Sequence, residues 1–164
     1  MDILFESRVA HNAALGSTAL WQFTRAYFDS QEQRSGPSLP LLMLVLPVVF
    51  HRRTAIKLQN MKSASGFAKA LLDDPELPVG LQARLEGFSD ASFAAIRLSV
   101  SAGLLECDPD RPWPRYTPSR KTLPADLRPV DDDTRAIVGA AKRLGWWFAH
   151  EDLVSICSLL HVKF

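Results

Sequence analysis

Four histidines, two cysteines and two short acidic runs carry the most reactive chemistry in this chain, and their spacing keeps them apart. His11, His51, His150 and His161 are scattered, with no HxxxH pair and third ligand of the kind that holds zinc. Asp131, Asp132 and Asp133 have the charge to gather a cation. They directly precede an apolar-periodic stretch, however, where one carboxylate caps a helix and its neighbours suit the helix's positive end. His150, Glu151 and Asp152 are consecutive, so on a helix they point in different directions. Cys107 and Cys157 lack CxxC spacing and read as free, reduced thiols, with Cys157 in the core. The sequence contains no GxSxG, GxxxxGK or GxGxxG. These readings point to a protein that is not an enzyme and carries no cofactor and no metal.

Binding chemistry is better represented. Arg111, Arg115, Arg120 and Lys121 interleave with Trp113 and Tyr116, and Arg97 lies a little upstream. That mixture suits contact with a nucleic acid, yet the formal net charge is only +1. Duplex binding neutralises several phosphates, which one arginine on a helix cannot do. A second cationic group, His51-Arg52-Arg53, follows a long apolar run and reads as charge favoured at a helix C-terminus.

The elements that position these residues are organised around Leu39 to Phe50, which holds ten apolar residues and two prolines. As a helix it would span about 18 Å, short of a bilayer core of about 30 Å, so it reads as a central core element. Ser38 and Pro40 favour a helical start, and Pro47 predicts a kink or a break into two short pieces. Ahead of it, Asn12 or Ser17 caps a helix to about Ser30, with Leu20, Phe23 and Tyr27 on one face beside Trp21 and Phe28. The first nine residues are expected to run along the surface or pair with a partner. Glu32 to Ser38 is a loop. Ser63 or Ser65 opens a helix through Leu72, with Phe67, Ala68 and Leu71 inward.

The middle of the chain is proline-rich, with eight of eleven prolines between Pro75 and Pro129. Leu81, Leu85 and Phe88 form one short helix face. Ser89 or Asp90 caps a second helix with Phe93, Ile96, Val100 and Leu104 at 3–4 spacing, and Ser92, Ser99, Ser101 and Arg97 on its outer face. Gly103 suits the left-handed position past a helix end. Leu104 to Cys107 reads as a strand, the following DPDRPWPR as a turn, and Tyr116-Thr117 as a returning strand. Helix, helix and wing is the order of a winged helix-turn-helix. Thr122 to Val130 reads as a linker. A helix to about Phe148 follows, with Ile137, Ala141, Leu144 and Phe148 on one face, then a last helix with Leu153, Ile156, Cys157 and Leu160.

The blocks ALWQFTRAY, LPLLMLVLPVVFH, FSDASFAAIRLSVSAGLLE and RAIVGAAKRLGWWFAHEDLVSICSLLHVKF, in that order, resemble the middle component of bacterial ABC-three component systems. The resemblance covers most of Asn12 to Phe164. It implies a Lamassu-like anti-phage or anti-plasmid defence complex, in which a small non-enzymatic subunit bridges an SMC/Rad50-like ABC ATPase and an effector such as a nuclease. No catalytic residue carries over.

The expected fold is mainly α, a helical domain with a winged-helix-like unit and a small β-hairpin. A single domain over 1–164 comprises N-terminal helices and the apolar run (12–76), the winged-helix-like unit (77–121) and C-terminal helices (131–164). Trp21, Trp113, Trp146 and Phe164 are the candidate partner interface, because large aromatics at the surface mark contact sites. Arg97, Arg111, Arg115, Arg120 and Lys121 are candidate DNA contacts within the complex. The alternative is an independent winged-helix DNA-binding regulator. With no leader-like apolar stretch at Met1, the chain is expected in the cytoplasm, off the membrane.

Overall fold

A computed structural model describes residues 12–109 and 112–164. Among them are eight α-helices: α1 (Ala13–Ser30), α2 (Leu39–Val49), α3 (Arg52–Asn60), α4 (Phe67–Asp73), α5 (Leu81–Gly87), α6 (Ser89–Ser101), α7 (Asp132–Phe148) and α8 (Leu153–Leu160). Two strands, β1 (Leu105–Asp108) and β2 (Arg115–Pro118), complete the fold as an antiparallel hairpin. The mainly helical architecture with a small hairpin is thus the one expected, while the reading of the first nine residues lies outside the described residues.

Helix α2 is the centre. Every residue from Pro40 to Phe50 is buried, and Leu42, Leu44, Val45 and Val49 are fully so. Pro40 occupies the first turn, where its missing N–H leaves no vacancy. Pro47 does not split the run: α2 continues to Val49, because the proline falls in the last turn and the helix ends before a bend can propagate. The chain then turns through 104° into α3. Among the described residues no single helix is long and apolar enough to cross a membrane.

That turn overturns the expected role of His51-Arg52-Arg53. The three residues open α3, with His51 as N-cap, so Arg52 and Arg53 stand at the helix end where the macrodipole disfavours cations. Carboxylates offset this: Arg52 meets Asp133 at 3.2 Å and Arg53 meets Glu76 at 2.5 Å. One turn on, Lys57 reaches the buried Asp74 at 3.0 Å.

Helices α1 and α7 lie along one another more extensively than any other pair, and α7 also covers α3. Gly145 allows the close approach. A Cβ there would stand 2.8 Å from the Ala26 Cβ and 3.0 Å from the Tyr27 nitrogen, and inside contact distance of the Phe23 carbonyl. Phe148 of α7 makes edge-to-face contacts with Phe23 across this seam and with Phe67 of α4. Asn12 caps α1, while Ser17 sits inside it with its one hydroxyl proton shared between the Ala13 and Ala95 carbonyls, 2.9 and 3.1 Å away. Asp131 caps α7 in a reciprocal capping box with Thr134, and Asp152 caps α8.

Helix α6 is turned from its expected orientation. Ser92, Ala95, Ile96 and Ser99 face inward, whereas Phe93 and Val100 are 43% and 38% exposed. The cause is the crossing with α1, where a Cβ on Gly16 would sit 3.0 Å from that of Ala95. Only small side chains fit where the two helices touch, so Ser92, Ala95 and Ser99 go in there, Ile96 stays in the core beside them, and Phe93 and Val100 go out. Neither Ser89 nor Asp90 caps this helix; the N-cap position is held by Phe88, directly after α5. The earlier expected helix from Ser63 or Ser65 divides into a 3₁₀ turn (Ser63–Ser65) and α4, with Phe67 and Ala70 buried and Ala68 exposed.

The hairpin pairs Leu105 with Pro118 and Cys107 with Tyr116. The Tyr116 N–H donates to Pro37 on the opposite side, so Pro118, two residues on, also points its nitrogen away from β1 and costs no ladder bond. Gly103 takes the expected positive φ of 69° before β1. Gly36 lets the chain press against the Tyr116 carbonyl, which any side chain would displace. The hairpin is thereby bonded to the loop leading into α2, and Leu123 and Leu127 of the expected linker pack on the same core.

Candidate partner interface

The four aromatic residues expected at an interface are distributed over different elements. Trp21 is 5% exposed on α1, part of the core beside Leu20 and Phe23, so it is not a contact a partner reaches. Trp113 is 53% exposed between Pro112 and Pro114, at the turn of the hairpin. Two flanking prolines restrict the backbone of that turn, which lowers the entropy lost when the indole is fixed by a partner. Trp146 is half-buried near the end of α7, with Lys142 and Arg143 lying 4.9 and 5.0 Å from its ring centroid. Its neighbour Trp147 is core and donates its indole N–H to the Ser63 carbonyl at 3.1 Å. Phe164 is 62% exposed at the end of a tail that Gln82 pins by two hydrogen bonds to Lys163.

Of the candidate DNA contacts, Arg97, Arg120 and Lys121 are exposed. Arg111 lies outside the described residues. Arg115 is half-buried and committed internally, donating to the Gly36 carbonyl at 2.8 Å and to Ser35 Oγ at 3.3 Å. The exposed face of α6 offers Arg97 among Phe93, Leu98 and Val100; of the serines expected there only Ser101 is exposed, while Ser92 and Ser99 are buried. An apolar face with one cation suits a protein surface better than a phosphate backbone.

Sequence periodicity missed this face, together with Leu72 and Val79, which are 81% and 69% exposed. The signal for α6 was present in its small residues: Ser92, Ala95 and Ser99 recur at 3–4 spacing, the pattern of a close helix crossing. No comparable signal marks Leu72 or Val79.

The titratable groups are tuned by structure. Backbone and side-chain hydrogen bonds from Thr134 hold the Asp131 carboxyl below its usual range, and those from Ser155 do the same for Asp152. Burial, helped by the adjacent Cys107, pushes the Tyr116 hydroxyl to about 12. Burial also raises the Cys157 thiol and lowers Arg143. Among the described residues no three His, Cys, Asp or Glu side chains are placed to hold a metal ion.

The molecule is of a definite class: a small, mainly helical protein with a hairpin, whose surface sets apolar and aromatic residues on several separate elements. Over residues 2–164 it matches the family described as ABC-three component (ABC-3C) system Middle Component 3, and the chain belongs to that family. It is therefore a middle component of an ABC-three component system. No curated protein and no solved structure matches the chain.

Proposed function

We propose that the chain is a non-enzymatic bridging subunit of an anti-phage or anti-plasmid complex of the Lamassu type. As one folded unit in the cytoplasm it joins an SMC/Rad50-like ABC ATPase to an effector, a nuclease in this reading, and restrains the effector until foreign DNA engages the ATPase. The observation that carries this is membership of the middle-component family along nearly the whole chain. The dispersion of exposed apolar residues supports it: Trp113 on the hairpin, Phe93 and Val100 on α6, and Phe164 at the tail leave room for more than one partner.

Co-expression with the genes on either side, followed by affinity purification through this chain, tests the proposal. An ATPase and an effector are expected to co-purify, and omitting this chain should separate them. A chain that purifies alone and shifts duplex DNA in a salt-dependent way would instead be a winged-helix regulator. The helix–helix–hairpin order and the exposed Arg97, Arg120 and Lys121 keep that second reading in view.

A further inference from the structure

A surface cleft of about 450 Å³ opens between the end of α7 and the 3₁₀ turn at Ser63–Ser65. Its aromatic side is Phe67, Trp146 and Trp147. Its polar side is Ser30, Ser63, His150 and Glu151. The volume lies within the usual range for sites that hold a small group.

The polar side is rich in acceptors. His150 Nδ1 lies 2.7 Å from the Trp146 carbonyl, which only accepts, so that nitrogen carries the proton. Ser30 Oγ spends its proton on the Ala26 carbonyl and retains lone pairs. Glu151 adds a carboxylate, and the cleft stands at the C-terminal end of the seventeen-residue α7, where the macrodipole favours positive charge. No lysine or arginine lines it. Lys142 and Arg143 stand over the Trp146 ring, and Arg143 donates to the Gln59 carbonyl at 3.2 Å. These two resident cations share the indole, so the Glu151 carboxylate must outweigh their repulsion when a further cation enters.

We propose that this cleft receives an arginine side chain from a partner protein, its guanidinium against the Trp146 indole and its N–H groups on Glu151 and the Ser30 and Ser63 hydroxyls. A guanidinium matches the site on three counts: it is cationic, it stacks on aromatic rings, and its five donors meet a wall of acceptors. The inference rests on the bridging reading only for the source of the arginine. Binding itself is a property of the isolated chain, so its failure leaves that reading intact.

The test titrates the ¹⁵N-labelled chain with acetyl-Gly-Arg-Gly-amide and with its citrulline twin, following the indole N–H signals of Trp146 and Trp147. Saturable shifts are expected with the arginine peptide. Binding about tenfold weaker is expected for the citrulline peptide and for Glu151→Gln, as for a desolvated cation–aromatic contact of about 1.4 kcal/mol. The citrulline comparison uses the native chain, so it stands whatever the variant does to folding. Equal binding by the citrulline peptide, absence of saturation, or tighter binding of choline than of the arginine peptide would each overturn the assignment.

Discussion

Replacing Gly145 by alanine is a sharp test of the packing, because two contributions of opposite sign can be weighed. In an isolated helix the change is stabilising by about 0.8–1.0 kcal/mol, since glycine is the poorer helix former. In this protein the added methyl meets backbone atoms of Phe23 and Tyr27 and the Cβ of Ala26, none of which can rotate away. Carbon contacts relax near 3.5–4.0 Å, so α1 and α7 must part by roughly 1 Å along their whole seam. Overpacking of this kind costs typically 1–3 kcal/mol, and rigid obstacles place it near the upper figure. The net is a destabilisation of about 2 kcal/mol, or a fall in Tm of about 4–8 °C for a chain of this size. Gly139→Ala on the same helix is the control. Its methyl meets only Gln59, 3.2 Å from the Cβ and 3.4 Å from Oε1, a shortfall of a few tenths of an ångström that offsets the propensity gain, so the variant should stay within about 1 kcal/mol of the parent. Circular dichroism melting of both variants decides. If Gly145→Ala melts at or above the parent, helix propensity has outweighed the crossing and the account of α1 against α7 is wrong.

Val45→Asp places an unpaired carboxylate at a fully buried position, a cost of several kcal/mol against a total stability of about 5–15 kcal/mol, and the variant should be unfolded or insoluble. A soluble variant with unchanged melting removes α2 from the centre of the core. Asp131→Ala should lower the melting temperature at neutral pH but not in acid. The depressed folded pKa makes the cap's contribution present above the unfolded carboxyl value and lost as pH falls through the folded one. Equal effects at both ends of that range would show that the cap is idle. At high pH the direction reverses for Tyr116: its raised value favours folding below about 10, and this is lost as pH rises towards 12. Tyr116→Phe should abolish that segment of the alkaline stability profile; if it does not, burial of the hydroxyl is not the cause. Arg97→Glu reverses the charge on the exposed apolar face of α6 and should weaken co-purification with the ATPase and effector; unchanged assembly would take α6 out of the interface.

Much of this molecule is written in local pattern. The apolar run at Leu39 to Phe50 can only be interior, Asp131 before a periodic stretch can hardly avoid capping it, and Gly103 before an apolar pair announces a turn into a strand. These follow from burial, unsatisfied helix ends and backbone sterics, which act over a few residues. The order of blocks also reached the family, because sequence similarity needs no coordinates. What the local pattern could not decide is which side of a helix wins when both have a claim. Helix α6 carries an apolar stripe and a stripe of small residues, and propensity ranks the first as core. The tertiary structure chose the second, because Gly16 brings α1 too close for Phe93 or Val100 to fit. The 104° turn after α2 is of the same kind, moving Arg52 and Arg53 from a helix end that welcomes cations to one that needs Asp133 and Glu76 to hold them. Trp21 and Trp146, alike as letters, part company for the same physical reason: exposure is a property of what packs against a residue, and that is settled only when distant segments meet.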